Sequence, residues 1–211
     1  MPNNDSGPAP LERFLNGILP ENPVYRQLLG LCPVLAVTAT MNTAMTMAVS
    51  VAFVLICANT LTSLIRGLLK PHLRILVFTL TIATFVTIVD QVLAAQMPDM
   101  SDKLGPYIPL IIVNCLIICR CEVCASKQSV GTAVSDAIGQ SLGFALALAS
   151  MATVRELLAE GSWFGIGLFW QGEAGGQYRW ALMGLAPGAF FTLGILMGVA
   201  NWISGKYGKK A

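Results

Sequence analysis

The sequence predicts an all-α integral membrane protein of six transmembrane segments. They form two inverted three-helix repeats, each opening with a short, broken segment (the first and fourth). Three observations carry this. The 211 residues are 55% hydrophobic and 11% charged, with mean hydropathy +0.68, whereas soluble domains carry about 25% charged residues. From Gln27 through Ile65 there is no Asp, Glu, Lys, Arg or His, a run far longer than the ~20 residues one spanning helix needs. Finally, two apolar stretches each break around a cysteine, Leu29-Gly-Leu-Cys-Pro-Val and Leu110-Ile-Ile-Val-Asn-Cys-Leu-Ile-Ile-Cys, at similar places in two similar halves.

Hydropathy sets the segments in order. The first is short, Leu28 to Thr40, with Pro33 removing a backbone donor directly after Cys32 and favouring a break or helix start. A full helix follows from Thr43 to Leu68, and a third from Ile75 to Ala95. The fourth is short again, Tyr107 to Cys121, with Pro109 a few residues before Cys115. The fifth runs from Val130 to Val154 and the sixth from Trp180 to Ile203. Residues 1–26 read as a cytoplasmic amphipathic lead-in, 27–204 as one transmembrane domain with repeats over 27–96 and 104–204, and 205–211 as a basic cytoplasmic tail. The lead-in carries Asp5, Glu12, Arg13, Glu21 and Arg26 before any long apolar run, unlike a cleavable signal.

Each half continues from its short segment into a long helix rich in small residues that ends near an arginine, Arg66 or Arg155. Three crossings per half is an odd number, so the halves run inverted, an arrangement in which broken helices meet near the bilayer midplane. Non-helical backbone at that depth must be buried in protein or line a site. With both termini in the cytoplasm, that side holds ten basic residues and the far side only Lys103, Arg155 and Arg179, as expected of a bacterial inner-membrane protein. The alternative is a pair of kinked ordinary helices with buried thiols.

Thiolates are the usual ligands of iron–sulfur clusters, and a two-iron cluster takes four. Cys32 and Cys115 supply two, so the missing pair would come from a second, similar subunit facing this one. A competing constellation is local: Cys115, Cys119, Cys121 and Cys124 lie within ten residues. Cys115 and Cys119 share one helix face and Cys121 and Cys124 another, with Cys115 and Cys121 about 120° apart, so convergence requires the helix to unwind after Cys119. Cys57 reads as a small packing residue.

Carboxylates at membrane depth are costly and mark ion pathways. Asp90, near the end of the third helix, and Asp136, early in the fifth, are the candidates for a Na⁺ or H⁺ path. The alternative places both within a turn or two of a hydrated interface, and Glu122 among cytoplasmic headgroups. No Gly-rich phosphate cradle and no nucleophile–base pair is present, so nicotinamide binding and independent catalysis are excluded. A net charge of +2 says little about partners, since the basic residues serve topology; membrane lipid is an expected partner and nucleic acid is not.

Asn22-Pro-Val, Gln27-Leu-Leu-Gly-Leu-Cys-Pro-Val-Leu-Ala-Val-Thr, Ile82-Ala-Thr-Phe-Val-Thr-Ile-Val-Asp, Ile108-Pro-Leu-Ile-Ile-Val-Asn-Cys and Val154-Arg-Glu-Leu-Leu resemble the RnfE/NqrD family from about residue 12 to the end. These are membrane subunits of the Rnf ion-translocating ferredoxin:NAD oxidoreductase and of the Na⁺-translocating NADH:quinone reductase. Gly30-Leu-Cys-Pro and Tyr107-Ile-Pro-Leu look more like the Rnf member of the pair, while Val89-Asp-Gln-Val-Leu and Leu185-Ala-Pro-Gly-Ala-Phe-Phe have some flavour of the quinone-reductase member. The resemblance implies pairing with an RnfA-like sister subunit and a midmembrane [2Fe–2S] cluster shared with it, to which Cys32 and Cys115 contribute. It also implies flavin-bearing, ferredoxin-like and NADH-binding subunits in the same complex. In one place the chain departs from the family pattern. Where the family usually reads Gly-Arg-Ala-Glu-Ala-Phe-Ala, this chain has Cys119-Arg-Cys-Glu-Val-Cys-Ala, and the additional thiols Cys119, Cys121 and Cys124 are either small-residue replacements or alternative ligands. Two readings from other classes remain: a secondary transporter on the same inverted repeat, and a structural scaffold.

Overall fold

A computed structural model describes residues 22–68, 71–159, 162–163, 166–167 and 184–207. Residues 1–21 of the lead-in expected over 1–26, the start of the sixth segment at Trp180, and residues 208–211 of the expected basic tail lie outside them. The helices are α1 Leu31–Val37, α2 Met41–Ile65, α3 Arg74–Gln96, α4 Pro98–Leu104, α5 Pro109–Ile112, α6 Cys115–Arg120, α7 Val130–Ala159 and α8 Ala186–Tyr207. Among the described residues, β structure is limited to a ladder pairing Ser162 with Gly167 and Trp163 with Ile166.

The centre of the fold is the pair α2 and α7. Ala44, Ala48, Val51, Leu55 and Ala58 recur every three or four residues on the buried face of α2, and Ala133, Ala137, Phe144, Ala147 and Met151 lie on that of α7. Small side chains let helix backbones approach closely where lipid offers no hydrophobic drive of its own. The two helices run antiparallel. The Met41 amide, at the start of α2, donates to the Glu156 carboxylate near the end of α7 at 2.6 Å. At the other end, Ser63 Oγ donates to the Gln128 carbonyl just before α7, at 3.1 Å.

By contrast, α3 buries one narrow stripe, Phe78, Ile82, Val86 and Val89, and exposes Ile75, Leu76, Leu80, Ile88 and Val92. Its hydroxyls are kept out of lipid by their own helix: Thr79, Thr84 and Thr87 each donate to a backbone carbonyl one turn back. Such a helix is made to face lipid or another subunit.

Among the described residues, three helices, α2, α3 and α7, are long and apolar enough to cross a membrane. A fourth candidate is a pair, Pro98–Tyr107 and Pro109–Ala125, bent by 53°. The other two expected crossings are not among these candidates over the described residues. The first segment is a seven-residue helix, about 10 Å of rise, because Leu28 and Gly30 have φ of 57° and 73° and cannot enter a right-handed helix. The last, α8, is apolar over Ala186–Trp202, about 25 Å, somewhat less than the ~30 Å hydrocarbon core.

Candidate functional site

The site is built from the two interruptions. In the first, residues 22–30 run as irregular backbone against the middle of α7. The Asn22 side chain closes a turn by accepting from the Val24 and Tyr25 amides at 3.0 and 3.1 Å, and its amide donates to the Gly143 carbonyl at 3.0 Å. The Tyr25 hydroxyl pairs with that of Ser150. Non-helical backbone at this depth is tolerated only when its polar groups are met in this way. The turn through Leu28 and Gly30 then delivers Cys32 as the second residue of α1.

In the second interruption α5 stops at Ile112, and Asn114 takes an extended conformation (φ −64°, ψ 114°). Its side-chain oxygen accepts from the Leu116 amide at 3.0 Å, capping α6 at the residue before Cys115. Asn-Cys is therefore a cap followed by the first helical residue.

The two interruptions meet. The Gly30 amide donates to Cys115 Sγ at 3.0 Å, joining positions 85 apart in sequence. Gly30 is also pressed from behind: a Cβ there would lie 2.9 Å from Phe144 Cε2 and 3.4 Å from Asn114 Oδ1. Cys32 and Cys115 are both exposed on this chain. Among the described residues no three His, Cys, Asp or Glu side chains gather into a metal-sized group, so the chain by itself offers two thiols at contacting breaks. That number fits half of a four-thiolate centre.

The other thiols are deployed differently. After Arg120 the helix widens into a π-helical turn, Cys121–Ala125, a feature frequent near functional sites. It turns Cys121 and Cys124 into the interior, where Cys121 Sγ donates to Asn59 Oδ1 at 3.3 Å. Cys119 and Cys57 are half-buried.

The two aspartates also part company. Asp90 is exposed on α3. Asp136 is 3% exposed and lies 3.5 Å from Arg120, whose other terminal nitrogen donates to Gln27 Oε1 at 2.8 Å. One turn along α7 from Asp136, both amide atoms of Gln140 are buried without a partner among the described residues. Arg120 reads in sequence as a topogenic surface charge; here it is 7% exposed inside the fold. Glu122 instead faces Arg74 at 3.6 Å across a partly exposed pair.

Arg155 is the second internal arginine, at 2% exposure. It donates to Thr38 Oγ1 at 2.7 Å and to the Leu35 carbonyl at 3.4 Å, capping the end of α1, the helix that carries Cys32. Its other terminal nitrogen reaches the Gly184 and Leu185 carbonyls at 3.1 and 3.3 Å. The only sequence signal for this role is the Val154-Arg-Glu-Leu-Leu motif, which places two charges inside an otherwise apolar helix.

These features define a multi-pass helical membrane protein whose two interrupted segments present one thiol each at a shared contact. The chain belongs to the Rnf-Nqr family of membrane protein subunits, whose model matches residues 11–197. The E component of a Na(+)-translocating ferredoxin:NAD(+) oxidoreductase complex from Acetobacterium woodii is 42% identical over 193 residues, covering 91% of this chain and 96% of that protein. The E component of an ion-translocating oxidoreductase complex from Methanosarcina acetivorans is 40% identical over 193 residues, 92% of this chain and 91% of that protein. The D component of a Na(+)-translocating NADH-quinone reductase from Aeromonas hydrophila is 40% identical over 185 residues, 87% and 88% of the two chains.

Proposed function

We propose that this chain is the E-type membrane component of an Rnf-type ferredoxin:NAD oxidoreductase complex. Cys32 and Cys115 are its two ligands to a [2Fe–2S] cluster shared with an RnfA-like sister subunit. The observation that carries the reading is the Gly30–Cys115 hydrogen bond, which brings the two cysteine-bearing breaks together while leaving both thiols exposed. Two more ligands on a facing chain complete the site. When bound, the cluster supplies a one-electron relay within a hydrocarbon core about 30 Å thick. Here Asn114 orients Cys115 through its cap, Gly30 donates to the sulfur, and Arg155 fixes the far end of the Cys32 helix.

The inverted repeat is supported by reciprocal end contacts. Arg66, at the end of α2, donates to the Gln128 carbonyl before α7, while Arg155 near the end of α7 caps the segment before α2. With six crossings and both termini in the cytoplasm of a bacterial inner membrane, the internal Arg120 and Arg155 leave the charge count, and the remaining basic residues still favour the cytoplasmic side by nine to two. Asp136 and Asp90 belong to the path of the coupled Na⁺ or H⁺. The relative named for a quinone reductase is 40% identical, and membership of that complex is the second reading.

The test is to purify the intact complex with Cys32→Ser and Cys115→Ser and count iron. Loss of about two irons per complex, with the soluble centres still reducible, is the expected result. Unchanged iron and electron transfer would sink the relay and favour a transporter or a scaffold. Supplying ferredoxin or quinone as electron partner separates the two complexes.

A further inference from the structure

We infer that the Gly30 amide, at a position where Phe144 leaves no room for a side chain, sets the reduction potential of the redox centre at Cys115. This rests on the cluster reading above.

The bond is not a by-product of local helix geometry. Its donor precedes α1, its acceptor is on the first residue of α6, and the two lie 85 residues apart. Gly30 reaches the sulfur because φ is +73°, a conformation open to glycine at little cost. Leu28, two residues earlier, holds φ 57°, a region that disfavours a side-chain-bearing residue. Backbone held in such conformations persists where surrounding structure over-determines it, and it clusters at functional sites. The surrounding structure here is Phe144 and Asn114, against which any Cβ at position 30 would press. A side chain at position 30 would therefore have to displace the Phe144 ring or shift the Gly30 backbone away from the sulfur.

An electron added at the site raises the negative charge on the Cys115 sulfur, and hydrogen bonds to ionised acceptors are about twice as strong as neutral ones. The donor thus favours the reduced form and raises the potential, as hydrogen bonds to cluster sulfurs do. No covalent bond forms or breaks.

The experiment is an EPR-monitored redox titration of the purified complex, with iron counted in parallel, for wild type, Gly30→Ala and Gly30→Ala/Phe144→Leu. In Gly30→Ala the expected result is full iron with the reduced-to-oxidised ratio at fixed potential down roughly tenfold, about 59 mV for a one-electron couple. Shortening Phe144 gives the new Cβ room, and the double variant should recover at least half of the shift. As a readout independent of variant folding, wild-type complex labelled with ¹⁵N-glycine should show a glycine nitrogen coupled to the reduced centre. Full iron with an unmoved potential in Gly30→Ala, or no glycine coupling in wild type, overturns the inference while leaving the relay intact. A centre that survives Cys32→Ser and Cys115→Ser overturns both.

Discussion

Arg66 and Arg155 stand at opposite ends of the antiparallel pair α2 and α7, and each reaches into the break that precedes the other's helix. Arg66 donates to the Gln128 carbonyl ahead of α7; Arg155 donates to Leu35 and Thr38 ahead of α2. Met41 and Val130, the two helix starts, are separated by the same sequence interval as Arg66 and Arg155. The Cys32 helix is thereby held at its first turn through Gly30 and at its last through Arg155. The two arginines differ in burial, since Arg66 is exposed and Arg155 is not.

That difference sets the first expectation. Arg155→Met removes the buried guanidinium's hydrogen bonds to Thr38 Oγ1 and to the Leu35, Gly184 and Leu185 carbonyls, and a hydrogen bond to a charged group contributes about 1.5–3 kcal/mol. Arg66→Met returns one carbonyl to water and should stay within about 0.5 kcal/mol. Thermal unfolding of the detergent-purified complex should show a lowered transition for Arg155→Met and an almost unmoved one for Arg66→Met. Equal effects would mean that Arg155 does not anchor the break. Glu156→Gln, which can still accept from the Met41 amide, should be milder than Glu156→Ala.

The long helices are legible because apolar runs bounded by charge and turn residues leave little choice: Thr43–Leu68, Ile75–Ala95 and Val130–Val154 fall close to α2, α3 and the start of α7. The hydropathy pattern ends the last of these five residues early. It treats Arg155 and Glu156 as an exit to water, whereas hydrogen bonds across the fold keep both inside and carry α7 to Ala159. The same blindness puts Arg120 at the surface. The broken segments are legible as breaks, from Pro33, Pro109 and the cysteines, but not in detail. Nothing local announces that Leu28 and Gly30 adopt positive φ, or that Asn114 caps α6. The Gly30–Cys115 contact depends on two breaks far apart in sequence, so no window along the chain contains it.

The three additional thiols yield the second expectation. Cys121 and Cys124 are turned inward by the π-helical turn, and among the described residues no third ligand joins them. Replacing Cys119, Cys121 and Cys124 together by alanine should leave the iron content and the EPR signal of the complex intact. The main cost to the fold should be the Cys121–Asn59 hydrogen bond, about 1 kcal/mol. Loss of iron from this triple variant, with Cys115→Ser retaining it, would move the ligand role to the later thiols.

The Arg120–Asp136 pair separates a structural from a conducting role. Both side chains are buried and lie 3.5 Å apart. Removing one partner of such a pair commonly costs about 3–5 kcal/mol, whereas exchanging both for apolar residues of similar volume is often neutral or stabilising. Asp136→Leu alone should therefore lower thermal stability sharply, and Arg120→Met/Asp136→Leu should regain most of it. If Asp136 carries the translocated ion, the double variant reconstituted in proteoliposomes should fold, transfer electrons and accumulate far less Na⁺ or H⁺ than wild type. Recovery of ion uptake together with stability would reduce Asp136 to a structural counter-ion. Asp90 offers the converse control. It is exposed on α3, so Asp90→Asn should change stability by no more than about 0.5 kcal/mol, and any loss of ion uptake it causes would belong to the path and not to the fold.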